Sequence, residues 1–142
     1  MGLKLTANEL MGFLDHVFPQ MKGEFAIEAL EEMAITTRLH VGERHLRPGG
    51  TVSGPSIFAL ADVSVYMAVL AMIGREALAV TTNCSIDFMR KPAADTDLVA
   101  KCTLLKLGRV LAVGDVLVYS DGSDKPVARA SMTYSIPPVK PA

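Results

Sequence analysis

The chain has 142 residues, which suits one domain with a core of its own. Its 14 basic and 15 acidic residues nearly cancel, so no strong field favours nucleic acid or an anionic membrane. Half of the residues are hydrophobic and the mean hydropathy is +0.33, which excludes a disordered chain. This composition is more apolar than the surface of a small monomer tolerates, so we predict one domain over 1–142 that self-associates.

Cysteine and histidine usage bears on compartment and metal binding. Cys84 and Cys102 are too few for a disulfide framework, and the three histidines lack zinc-ligand spacing, so we expect neither disulfides nor a metal. The N-terminus has no basic segment followed by an apolar one, as a signal peptide would. We expect a cytoplasmic protein.

The first predicted element is an amphipathic helix over residues 6–18, inside an N-terminal segment that spans 1–23. Thr6 and Glu9 have the spacing of a capping box, and apolar residues then recur at helical intervals. Pro19 ends the helix because proline removes a backbone donor and clashes with the preceding turn.

An extended region, a glycine-rich loop and a very apolar helix follow. Residues 24–41 alternate apolar and polar side chains and predict one strand, or two with a bend near 31–32. Residues 45–55 form a loop with special backbone geometry, and a helix over about 55–73 comes next. Because its apolar run of 57–73 is shorter than the about 20 residues of a membrane span and contains a charge, we predict a helix buried in protein.

The second half of the chain predicts four strands joined by short polar connections. Such connections favour antiparallel neighbours over parallel strands with helical crossovers. A long curved antiparallel sheet wrapped around the apolar helix would cover that helix on every side, giving an α+β fold. The predicted strands cover residues 78–89, 97–107, 109–119 and 126–136, and a frayed tail follows over 136–142.

Asp62 is the exceptional residue, because it is a carboxylate in the middle of the most apolar helix. A buried carboxylate without partners is costly, so proteins keep one where donors surround it or where it takes part in chemistry. A solvent slit, or bonds to Ser64, Thr81 or a backbone amide, would explain it structurally. The functional hypothesis is a general base or a nucleophile.

Gly54 precedes Asp62 by eight residues, at the predicted helix start beside Pro55. The N–H groups at a helix start point outward with the positive end of the dipole, and glycine lets a carbonyl approach closely. Eight residues of helix rise about 12 Å. We therefore expect Asp62 of one chain to work with the helix start of a second chain. The alternative is that Gly49, Gly50 and Gly54 only shape turns.

Three segments together resemble the hot-dog-fold acyl-CoA thioesterases of the phenylacetic-acid-degradation type. They are RPGGTVSGPSIFALAD (47–62), AVTTNCSIDFMRKPA (79–93) and LGR (107–109), and the resemblance covers the chain after about residue 24. It implies the hot-dog fold and hydrolysis of an acyl-CoA, or a related acyl thioester, to acid and thiol. It further implies coenzyme A only as part of the substrate, no other cofactor, and a homodimer or homotetramer.

Carried over by position, the resemblance implies three catalytic residues. Asp62 matches the carboxylate that activates water or attacks the thioester carbonyl. Gly54 matches the glycine whose N–H donates to the oxyanion. Thr81 falls where the family often has a hydroxyl near the carboxylate or the attacking water.

The chain departs from the family pattern in the loop before the helix. The family's loop Asn and His are here Arg47 and Ser53, and its second glycine is Pro55, which has no N–H. These departures leave open a second hypothesis, a protein that binds acyl-CoA without turning it over. A dehydratase or hydratase on this fold is disfavoured, because such enzymes usually combine a His with the carboxylate and no His lies near the apolar helix in this sequence.

We expect a further set of residues to bind the substrate. The resemblance implies that Arg90 and Lys91 meet the phosphates or adenine of coenzyme A, where a basic pair would suit phosphates, with ordinary solvated charges as the alternative. Tyr66 follows Asp62 by one helical turn and could line the same pocket, with core packing as the alternative. The assigned residues are Arg47, Ser53, Tyr66, Asn83, Arg90, Lys91 and Arg109.

Overall fold

A long antiparallel sheet of six strands wraps around one helix, and the computed structural model describes residues 2–138 of the chain. The predicted α+β hot-dog architecture is confirmed. The predicted tail over 136–142 lies mostly outside the described residues. The elements are α1 (Ala7–Val17), β1 (Phe25–Glu31), β2 (Ala34–Leu39), α2 (Gly54–Ile73), β3 (Val80–Phe88), β4 (Leu98–Leu107), β5 (Leu111–Ser120) and β6 (Pro126–Ser135), with short 3-10 turns at Pro19–Met21 and Glu43–His45.

The strand order is β1-β2-β4-β5-β6-β3, and every neighbouring pair is antiparallel. The region 24–41 is two strands, the hairpin β1–β2. Short connections place β4, β5 and β6 side by side as predicted, but the same expectation is wrong for β3, which pairs with β6 and not with β4. Strand β3 is exposed at most positions and takes the sheet edge, whereas β4 alternates buried and exposed residues and lies between β2 and β5.

Helix α2 forms the centre of the core. Its side chains are buried on most sides, with Leu60, Met67 and Leu70 fully buried. Its length and hydropathy would suit a membrane span, but 72% of its most apolar window is buried inside the protein. Gly114 on β5 allows the close approach of helix and sheet, since a Cβ there would lie 3.1 Å from both methyl groups of Val65.

Helix α1 leads the chain to one end of the core. The capping box is confirmed, because the Thr6 hydroxyl accepts from the Glu9 N–H and the Glu9 carboxylate accepts from the Thr6 N–H. Leu10 and Leu14 are buried on its apolar face. The helix ends at Val17, and its C-cap Phe18 begins the turn toward β1.

Buried His45 fixes the loop that precedes α2. The Gly42 N–H donates to its Nδ1 at 2.8 Å, so Nε2 carries the proton and donates to Glu24 Oε1 at 2.8 Å. Its backbone oxygen accepts from the Ser53 N–H at 2.8 Å. Burial, and then the charge of Arg44, lower the pKa of His45 and keep the ring neutral. Its partners give this histidine a structural role in placing the start of α2.

Candidate active site

Two cavities lie at the two ends of strand β3. The first, here called the Asp62 cavity, has a volume of about 590 Å³ and includes Val80 and Thr81 from the start of β3. The second, here called the Gly54 cavity, has a volume of about 670 Å³ and includes Phe88 from the end of β3. The structure therefore separates Asp62 from Gly54 within one chain, in agreement with their spacing along α2.

The Asp62 carboxylate is half-buried and is held through one of its oxygens. The Thr81 hydroxyl donates to Oδ1 at 2.5 Å, and the Tyr134 hydroxyl donates to the same atom at 2.8 Å. The Tyr134 hydroxyl also lies 3.1 Å from the backbone oxygen of Asp62. Within residues 2–138 no hydrogen bond reaches Oδ2, which leaves that oxygen free for water or a carbonyl carbon.

The sheet register explains why two hydroxyls meet at one carboxylate. Thr81 and Tyr134 are partners across the β3–β6 pair, so their side chains stand on the same face of the sheet, toward α2. The register shifts directly after Thr81, and such irregularities redirect side chains near functional sites. The carboxylate thus finds its donors on two different strands.

A pair of tyrosines forms one wall of the Asp62 cavity. The rings of Tyr66 and Tyr134 stack with centroids 6.0 Å apart, and the Tyr66 hydroxyl donates to the Ala77 oxygen at 2.8 Å. Burial raises the pKa of Tyr66, and burial followed by the charge of Asp62 raises the pKa of Tyr134. Both phenols therefore stay protonated and act as hydrogen-bond donors. Tyr66 both packs in the core and lines this cavity, so the two alternatives for this residue hold together.

The remaining walls of the Asp62 cavity are mainly apolar. The turn after α1 contributes Phe18 and Met21, and α2 contributes Phe58. Cys84 lies near the carboxylate on β3, where burial and then the charge of Asp62 raise the pKa of its thiol. A protonated thiol is a poor nucleophile, so Cys84 fits the role of a small apolar residue.

The start of α2 presents one open backbone donor. Ser53 is the helix cap and Gly54 is the first helical residue, so the expectation that Gly54 itself caps the helix is wrong by one position. The Ser53 hydroxyl accepts from the Ser56 N–H at 3.3 Å, and the Ser53 oxygen accepts from the Ile57 N–H. Pro55 has no N–H. In the part of the chain that the structure describes, this leaves the Gly54 N–H unpaired, and Gly54 lines the second cavity.

Cationic side chains line the Gly54 cavity. Arg47, Arg90 and Lys91 all contribute to it, and the Arg90 guanidinium also donates to the Pro126 oxygen at 2.8 Å. Three other residues assigned to substrate binding line neither cavity. The Ser53 hydroxyl is engaged in the helix cap, Asn83 is exposed in the middle of β3, and Arg109 is exposed in the β4–β5 turn.

No signal in the sequence pointed to Tyr134, although it contacts Asp62 directly. Its alternating strand predicts that every second side chain faces the core, but only the β3–β6 register places it opposite Thr81. The residues Phe18 and Met21 were also not expected at the site, because the path of the chain after Pro19 decides where they lie. Within residues 2–138, no group of three His, Cys, Asp or Glu side chains is arranged to hold a metal ion.

Comparison with known proteins agrees with this fold. The thioesterase superfamily model matches residues 49–127. A proposed thioesterase from Silicibacter sp. TM1040 is similar at 65% identity and a TM-score of 0.90, over 96% of this chain and 94% of that one. A mutant of the phenylacetic acid degradation protein PaaI from Thermus thermophilus is similar at 28% identity and a TM-score of 0.72, over 84% of this chain and 99% of that one. No curated protein matches the sequence.

A more distant structure shares the fold. Thioesterase superfamily member 2 from zebra fish is similar at 21% identity and a TM-score of 0.82, over 94% of this chain and 100% of that one.

Proposed function

We propose that this chain, which belongs to the thioesterase superfamily, hydrolyses an acyl-CoA or a related acyl thioester to the free acid and the thiol. The observation that carries the proposal is the Asp62 carboxylate. One of its oxygens is held by two hydroxyls, the other takes part in no hydrogen bond within residues 2–138, and the residue lines a largely apolar cavity. A fixed carboxylate beside a space for an acyl group is what thioester hydrolysis requires.

The chemistry follows two routes that share one geometry. As a base, Oδ2 of Asp62 takes a proton from water while the water oxygen bonds to the thioester carbonyl carbon. The C–S bond then breaks, and the departing thiolate receives the proton. As a nucleophile, Oδ2 bonds to the carbonyl carbon itself, the thiolate leaves, and water cleaves the resulting anhydride. In both routes Thr81 and Tyr134 hold the carboxylate, and negative charge grows on the carbonyl oxygen.

The donor for that oxygen comes from a second copy of the chain. Strand β3 is a sheet edge of nine residues, about 30 Å long, with the Asp62 cavity at its start and the Gly54 cavity at its end. Antiparallel pairing of two such edges places the start of one β3 beside the end of the other. The Asp62 cavity of one protomer then adjoins the Gly54 cavity of its partner, and the Gly54 N–H acts as the oxyanion donor.

The exposed face of β3 supports this pairing. Val80 and Phe88 are 54% and 55% exposed, and the flanking Leu78 and Met89 are 70% and 46% exposed. An edge with unpaired backbone groups and apolar side chains favours association with another strand. We therefore propose a homodimer with two shared sites, which is also the unit from which a tetramer would be built.

The two cavities suit the two parts of the substrate. The acyl group occupies the Asp62 cavity, against Phe18, Met21 and Phe58. The phosphates of coenzyme A meet Arg47, Arg90 and Lys91 at the Gly54 cavity, where the charges are complementary. Coenzyme A enters only as part of the substrate, and we expect the reaction in the cytoplasm.

A panel of acyl-CoA thioesters with free-thiol detection tests the proposal. The panel includes short, long and aromatic acyl groups, with the same acyl chains on N-acetylcysteamine to test whether the cationic cavity is needed. We expect catalytic thiol release for at least one acyl-CoA and a higher KM for its truncated analogue. Absence of thiol release from every member contradicts hydrolysis.

A second function, binding of acyl-CoA without turnover, is favoured by the helix start. Because Pro55 has no N–H and Ser56 is engaged by Ser53, Gly54 supplies the single open donor in that described turn. Thermal unfolding separates the two functions in the same experiment. Stabilisation by an acyl-CoA that is not cleaved, for every member of the panel, supports binding alone.

A further inference from the structure

We infer that Tyr134 is a positioning residue for Asp62, a role that rests on the proposed hydrolysis. Its hydroxyl holds Oδ1 and thereby keeps Oδ2 directed into the Asp62 cavity. Two hydroxyls converge on this one oxygen, from Thr81 at 2.5 Å and from Tyr134 at 2.8 Å. Hydrogen bonds to an ionised group are stronger than hydrogen bonds between neutral groups, so both hydroxyls contribute to holding the carboxylate.

A second anchor is needed because a carboxylate turns easily about its last side-chain torsion, whose energy profile is broad. A single hydroxyl at the edge strand can follow such a rotation. Thr81 is half-buried at the start of β3, which pairs with one strand only. A donor on a different strand fixes the plane of the carboxylate as well as one atom of it.

Tyr134 is built to stay in place. It is 3% exposed, and β6 lies between β5 and β3, with Ala112 and Thr81 as its register partners. Its ring stacks on Tyr66, which is itself tied to the Ala77 oxygen. The hydroxyl also lies 3.1 Å from the backbone oxygen of Asp62, so it contacts both ends of that residue. The carboxylate therefore adjusts to the tyrosine.

The phenol acts as an anchor that keeps its proton. Burial and the neighbouring negative charge of Asp62 raise the pKa of Tyr134 well above its ordinary value. The departing thiolate therefore does not take its proton from this residue. What Tyr134 contributes is the orientation of Asp62, which is lost when its hydroxyl is removed.

The substitution Tyr134→Phe tests the role, because it keeps the ring and its stacking. We expect kcat to fall roughly 10- to 100-fold, with KM for the acyl-CoA unchanged within about threefold. Thr37→Val is the matched control. This substitution removes a buried hydroxyl on β2 that bonds the hydroxyl of Ser64 at 2.7 Å, and Ser64 is on the same helix as Asp62. Thr37 lines neither cavity. We expect Thr37→Val to lower the melting temperature at least as much and to leave kcat unchanged.

A double-mutant cycle with Asp62→Asn separates positioning from a general loss of structure. If Tyr134 acts through Asp62, adding Tyr134→Phe to Asp62→Asn lowers the residual rate by less than about threefold. The same 10- to 100-fold loss in both backgrounds, or an unchanged kcat in Tyr134→Phe alone, overturns the positioning role and leaves the proposed hydrolysis standing. Absence of turnover by the wild-type protein overturns the hydrolysis and the positioning role together.

Discussion

A site shared between two chains can be tested by damaging each half in a different chain. Asp62→Asn removes the ionised carboxylate, and Gly54→Pro removes the backbone donor. Gly54 is the first residue of α2, a position that accommodates proline in helices. Ser53 before it has φ −72° and ψ 152°, the extended conformation that precedes a proline.

The expected magnitude follows from the two-fold geometry. Loss of one oxyanion donor costs about 100- to 1,000-fold in kcat, so each variant alone is nearly inactive. After subunit exchange of an equal mixture, half of the dimers contain one chain of each kind. Such a dimer has one site with both lesions and one site with neither, so about a quarter of wild-type activity returns.

The assay is thiol release from the best acyl-CoA, measured before and after the two variants are mildly unfolded together and refolded. Each variant refolded alone is the control. If Asp62 and Gly54 of one site belonged to the same chain, every site in the mixture would carry a lesion and no activity would return. Gly54→Ala separates loss of the donor from crowding, because it keeps the N–H and its Cβ lies 3.4 Å from the Phe88 ring. It should lose far less activity than Gly54→Pro.

Three further predictions concern specificity and stability. Phe18→Ala enlarges the Asp62 cavity at its α1 end, so the acyl-CoA panel should shift toward longer chains. Burial lowers the pKa of His45 in the folded state, so the unfolded state binds a proton at this residue more readily. The free energy of unfolding of the wild-type protein should therefore fall between about pH 7.5 and pH 5.5, and this fall should be larger than the fall measured for His45→Gln. Gly114→Ala should cost about 1–3 kcal/mol by thermal unfolding, since its Cβ meets Val65, whereas Gly12→Ala meets nothing within 4 Å and should not destabilise.

Each of these has a contrary result. An unchanged chain-length profile in Phe18→Ala would show that the acyl group does not reach the α1 end. Equal loss of stability on acidification in His45→Gln would assign the pH dependence to other groups. A melting temperature of Gly114→Ala at or above that of Gly12→Ala would show that α2 and the sheet can move apart at no cost.

The fold could be predicted from the sequence because its local signals agree with one another. The capping box at Thr6, the stop before Pro19 and the alternation in β4 each reflect interactions within a few residues. The place of β3 could not be predicted in this way. Its position at the edge depends on which strands cover α2 best, and this is a property of the whole sheet.

Residues of the candidate site could be predicted where their residue type is unusual for its place in the sequence. They could not be predicted where only the register between two strands brings them to the site. Asp62 stands out because one charge interrupts an apolar helix, and Gly54 because it stands at the start of that helix. Tyr134 carries no such mark, since any strand with alternating side chains could present a tyrosine to the core. Its partnership with Thr81 depends on the pairing of β3 with β6, strands that are far apart in the chain.

The most direct measurement is kcat/KM for thiol release by wild-type protein and by Asp62→Asn, with the best acyl-CoA of the panel. Thermal unfolding and acyl-CoA binding of both proteins establish that the variant is folded and still takes up substrate. If Asp62 is the base or the nucleophile, kcat/KM falls at least about 100-fold in the folded variant. Activity of folded Asp62→Asn within about tenfold of wild type would contradict a catalytic role for the carboxylate.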